Sequence, residues 1–122
     1  KMDNLLTQLE MIGCDVRGGL ARFAGNEALY LKFLYRFPDE ATMPKFEKAM
    51  RENDYEAALR EIHTFKGVAG NLGLDGLYTI AQKIQQMLQA SAYDQAAACA
   101  QDLFHESSQV FSRIRACAQA RA

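Results

Sequence analysis

Residues Ala58 to Gly73 carry apolar side chains at helical spacing, and this pattern constrains the rest of the chain. Each helical residue turns about 100°, so Ala58, Ile62, Phe65, Ala69 and Leu72 fall on one face. His63, Lys66, Gly67 and Gly70 fall together on the opposite face. A histidine used in a core would share the face of Ile62 and Phe65. This one points away from Phe65, with a cation one turn later, toward solvent or a partner. Each glycine costs a helix interior about 1 kcal/mol relative to alanine. Glycines kept for close packing belong on the apolar stripe, whereas Gly67 and Gly70 sit beside His63. They read as clearance, leaving an imidazole above bare backbone that a second macromolecule can approach.

A neutral imidazole nitrogen is a nucleophile near pH 7 without a base to deprotonate it. With Lys66 placed to stabilise an anion on the ring, the stretch suits a phosphoryl acceptor. It resembles the histidine phosphotransfer (HPt) domain of two-component phosphorelays, whose signature is a histidine, x-x-Lys-Gly, and a glycine ending the helix. Here these are His63, Lys66, Gly67 and Gly73. The resemblance extends from Gly18-Gly19-Leu20-Ala21-Arg22-Phe23 to Leu77 and Ala81, and so over most of the chain.

The resemblance implies a phosphocarrier without an ATP site. His63 would take a phosphoryl group from a receiver-domain aspartate and pass it to a response-regulator aspartate. Receiver domains would be the partners and would supply the Mg²⁺, with no cofactor or metal in this chain. Lys66 would stabilise the phosphate. In relatives a glutamine orients the imidazole, and an antiparallel hairpin turning at Gly73 to Asp75 brings residues near Gln85 level with His63. Leu59, one turn before His63 and too far round for the core, would join Arg60 and Asn71 in a docking rim. The domain would be cytoplasmic, free-standing or tethered to the inner membrane through the rest of a sensor kinase, and monomeric when isolated. The alternative is a helical interaction module that binds a partner without phosphorylation. A kinase is disfavoured, because no glycine-rich phosphate loop follows a strand.

Length and composition agree. The 122 residues make one domain, expected to span 1–122, with 49% hydrophobic and 24% charged residues. A net charge of -1 with dispersed cations argues against nucleic acid and direct membrane contact. Cys14, Cys99 and Cys117, an odd count without Cys-x-x-Cys, read as reduced thiols rather than a disulfide framework or zinc site. No apolar run is long enough to span a bilayer. Lys1-Met2 is unlike a native start, which is expected either of an excised domain or of residues added at the front of the chain.

The periodicity predicts an all-α antiparallel four-helix bundle with one or two short N-terminal helices over one end. Those short helices are Met2 to Ile12, with Leu5, Leu6, Leu9 and Ile12 on its apolar face, and Val16 to Ala24, capped by Asp15. A helix from Asn26 to Arg51, bent or broken near Pro38, precedes the His63 helix, which Asp54 caps. Asp75 is expected to cap the next helix, and a last one runs from Tyr93 to about Ala118. His105 reads as structural or merely exposed, and Met11, Met43, Met50 and Met87 as core filler.

Overall fold

The computed structural model describes the backbone of residues 2–121 and the side chains of residues 7–120. The described residues form seven α-helices and one short 3₁₀ turn. They are α1 (Met2–Met11), α2 (Val16–Arg22), α3 (Glu27–Arg36), the turn Phe37–Asp39, α4 (Thr42–Arg51), α5 (Tyr55–Leu72), α6 (Asp75–Gln89) and α7 (Tyr93–Arg121). Leu5 and Leu6, expected on the apolar face of α1, lie outside the described side chains.

Helices α4 to α7 follow one another across short turns as an antiparallel bundle. Its core includes Phe46, Ala58, Ile62, Phe65, Leu77, Ile84, Leu103 and Ile114, each no more than 1% exposed. The rings of Phe46 and Phe104 meet between α4 and α7 with centroids 5.9 Å apart.

The helix expected from Asn26 to Arg51, bent or broken near Pro38, is broken there into α3 and α4. Pro38 lacks the amide hydrogen that would continue the ladder of α3; Phe37 before it stays helical, the chain tightens into the 3₁₀ turn, and it leaves helix at Glu40, whose backbone is extended. Pro44 lies in the first turn of α4, where no donor is needed. The break is packed rather than loose. Phe37 is buried against Phe65 and Phe111, at centroid distances of 5.1 and 5.4 Å. Arg115 Nη2 donates to the Pro38 carbonyl at 3.1 Å and lies 3.0 Å from Asp39 Oδ1.

Helices α1 and α2, and α3 from the first half of the broken segment, precede the bundle and are tied to the end of α5. The Asp15 amide donates to the Gly73 carbonyl at 2.7 Å, and Cys14 pairs with Leu74 in an isolated antiparallel bridge. The Tyr30 hydroxyl, fully buried, donates to the Leu72 carbonyl at 2.7 Å. Among the expected caps, Asp15 and Asn26 each accept from a backbone amide three residues on, at 3.0 Å. Asp75 does not cap α6. The cap position is Leu74, held by the bridge to Cys14, so Asp75 becomes the first helical residue, where its charge suits the helix dipole.

Candidate functional site

The geometry of the site follows from the two ends of α5. Asp54 accepts from the Ala57 amide at 3.2 Å and starts the helix. Gly73, in the left-handed region at φ 82°, stops it. With both ends set, Ala58, Ile62, Phe65, Ala69 and Leu72 are buried and His63 is exposed.

The Gly73 turn folds α6 back along α5 in one antiparallel register. Gln85 stands level with His63, its amide nitrogen 3.3 Å from the ring's Nδ1. Seven residues along α5 and seven back along α6, Tyr78 stands level with Gly70. The amide oxygen of Gln85 is buried with no partner among the described residues. The two ends of a carboxamide have nearly the same shape, so two arrangements share this contact. With nitrogen toward the ring, Nδ1 accepts and the hydrogen sits on Nε2. With oxygen toward the ring, Nδ1–H donates and Nε2 keeps its lone pair. Either arrangement leaves the inner amide atom unpartnered.

The two glycines differ. A Cβ added at Gly67 would meet nothing within 4 Å, so that position is open. One added at Gly70 would come within 3.0 Å of the Tyr78 ring. Gly70 is therefore not bare backbone but the seat of an aromatic side chain from α6, which corrects its reading as clearance. A position off the apolar stripe can still pack, because the hairpin partner α6 lies beside the face that carries Gly70.

Lys66 is half-buried on the same face, beside Gly67. Leu59 is half-buried and packs against the core, so it is not too far round to reach it; the buried arc of α5 is wider than the stripe drawn from sequence. Arg60 lies 3.4 Å from Glu56, both largely exposed at 64% and 90%, a pair that contributes little. Asn71 is exposed, and its carbonyl accepts from Arg22 Nη1 at 3.4 Å. His105 is exposed on α7, away from these residues in sequence. Met43, Met50 and Met87 pack against the core, but Met11 is 78% exposed, because α1 ends there and only its inner face meets α7.

Arg22 and Tyr78 were missed by reading the sequence. The hairpin register could have located Tyr78 opposite Gly70. Arg22 lies in the upstream stretch that carries the family resemblance, but nothing local brings it to α5, which it reaches from a separate helix.

The model of the Hpt domain family matches residues 40–121, well over half of the chain. No curated protein and no solved structure matches at a significant level. With an all-helical bundle, an exposed histidine on its α5 helix and a family match running from the start of α4 through α7, this chain belongs to the Hpt domain family.

Proposed function

We propose that the domain is a phosphorelay intermediate in which His63 accepts a phosphoryl group from a receiver aspartate and returns it to the aspartate of a second receiver. The observation that carries this reading is an exposed imidazole held at Nδ1 by Gln85, with no partner at Nε2 among the described residues. Hpt domains act generally in phosphorelay transfer, as carriers rather than enzymes, and engage receiver domains.

In the proposed step, the Nε2 lone pair attacks the phosphorus of the receiver's aspartyl phosphate. An N–P bond forms, the P–O bond breaks, and the aspartate leaves as a carboxylate. The proton stays on Nδ1, so the ring becomes cationic, and the amide oxygen of Gln85 stabilises it. This assigns the arrangement with the amide oxygen toward the ring to the reactive state. Lys66 offsets phosphate charge, and Gly67 leaves room for the incoming domain. Receiver aspartate and Mg²⁺ come from the partner, and nothing beyond side chains is required here.

We also read residues 1–39 as part of the same domain, supported by the bonds from Asp15 and Tyr30 to the end of α5. Leu59, Arg60 and Asn71 are proposed as rim contacts, Leu59 through its outer edge only. A cytoplasmic, monomeric domain fits this role; among the described residues no helix is long and apolar enough to cross a membrane.

Incubation with a receiver charged by acetyl phosphate should label the wild type with an acid-labile, alkali-stable phosphate and leave His63→Gln unlabelled. Equal receiver binding by both proteins, with neither labelled, would instead favour the phosphorylation-independent module.

A further inference from the structure

Beyond Lys66 and Gly67, the His63 face runs into a shallow groove of about 440 Å³. Three helices line it: Arg22 comes from α2, Lys66 and Gly67 from α5, and Tyr78 from α6. The floor is open at Gly67 and covered at Gly70 by the Tyr78 ring, which is itself 36% exposed. Lys66 and Gly67 belong to both the groove and the histidine's face, so a protein docked on one contacts the other.

The charges in the groove are unbalanced. Among the described residues neither Arg22 nor Lys66 forms an ion pair. The Arg22 guanidinium makes one long bond, 3.4 Å from Nη1 to the Asn71 carbonyl, which leaves most of its donors free. Asp75 also lines the groove and offsets one of the two cations. Arg22 cannot serve the phosphoryl group directly. Its anchor at Asn71 lies eight residues past His63, roughly 12 Å along the helix at about 1.5 Å per residue.

We infer that Arg22, in the groove that adjoins Lys66, seats a carboxylate side chain of the incoming receiver and thereby selects among receivers. The inference rests on the phosphorelay reading above. A carboxylate on a protein segment suits the groove better than a free phosphate. It needs one bidentate guanidinium, tolerates Asp75 nearby, and lays its apolar stem against Tyr78. Arg22 lies outside residues 40–121, so the family match does not assign it a role. Selection by this pocket would be a property of the N-terminal helices rather than of the shared bundle.

The probe is the receiver domain of the source organism that binds this domain most tightly, loaded with acetyl phosphate for the transfer assays. Transfer rates are measured against receiver concentration for wild type, Arg22→Ala, Arg22→Lys and Arg22→Glu, at low and high salt. Arg22→Glu should raise KM about 10-fold at low salt with kcat within about twofold, and the gap should shrink as salt screens it. Arg22→Ala should fall between, and Arg22→Lys should recover part of the loss. Thermal unfolding should barely change, since Arg22 makes only one long, exposed bond. An unchanged KM in Arg22→Glu, or a loss confined to kcat, overturns the inference. If His63 takes no phosphate, the relay reading falls separately. The pocket is then judged by calorimetric binding of the uncharged receiver, where weakening in Arg22→Glu supports it and equal affinity or no binding overturns it.

Discussion

In the proposed relay, His63 depends on a neighbour two helical ends away in sequence. Gln85 lies 3.3 Å from Nδ1, and whichever end of its carboxamide faces the ring sets which ring nitrogen carries the hydrogen, and hence which would attack. Replacing Gln85 with leucine removes the acceptor for a ring that turns cationic during transfer. A hydrogen bond to a charged group is worth about 1.5–3 kcal/mol, so transfer should slow roughly 10- to 100-fold with the fold intact. Nitrogen-15 NMR of His63 should show the Nδ1–H form depleted; an unchanged tautomer ratio and rate would remove Gln85 from the mechanism. The glycines give a second contrast. Gly67→Ala adds a methyl to open space in a helix and should raise stability by about 1 kcal/mol while slowing phosphoryl transfer. Gly70→Ala must displace the Tyr78 ring and should show little or no such gain in thermal unfolding.

The α5–α6 hairpin brings these side chains together, and Gly73 controls the hairpin. It combines a left-handed backbone at φ 82° with an approach so close that a Cβ would overlap the Asp15 carbonyl oxygen. Gly73→Ala should therefore destabilise by about 3 kcal/mol, combining backbone strain with overpacking. Denaturant unfolding measures the cost, and a loss under about 1 kcal/mol would mean the turn can relax. The preceding helices show how the same principle reads less clearly. Helical spacing on both sides of Pro38 fits either one bent helix or two. Phe37 and Arg115 favour the break through contacts to α5 and α7, which local sequence does not contain.

Across the molecule, the N-terminal helices and the bundle meet at a buried polar cluster. Cys14 Sγ lies 3.4 Å from the Tyr30 hydroxyl, which donates to the Leu72 carbonyl. Burial pushes the Cys14 thiol from its ordinary 9.0 up to about 11, against a smaller lowering by its bond to Tyr30. Burial, then the Cys14 hydrogen bond, raise the Tyr30 phenol as well. Both groups are neutral when protonated, and the fold holds their protons more tightly than the unfolded chain does. Stability should therefore be fully present below about pH 9 and fall as pH rises to about 11, with Cys14 alone contributing about 2 kcal/mol of that loss. Chemical denaturation at pH 8, 9.5 and 11 tests this. The alkaline loss should shrink in Tyr30→Phe, which should also lose about 1–3 kcal/mol at neutral pH, because the Leu72 carbonyl loses its 2.7 Å donor and is left with the long 3.5 Å contact from Cys14 Sγ. A flat profile in the wild type would show that the cluster opens to water before it titrates.

Local chemistry sufficed for much of this protein. The apolar repeat of α5, the caps Asp15, Asn26 and Asp54, and the stop at Gly73 each depend on residues within a turn or two, so helices, their order and the outward face of His63 could be read from the chain. What lies opposite a given residue depends instead on packing between helices. That is why Gly70 proved to be a seat for Tyr78, Asp75 yielded its capping position to Leu74, Leu59 reached the core, and Arg22 came within reach of α5. Helical periodicity tells which way a side chain points, but only the assembled bundle determines what it meets there.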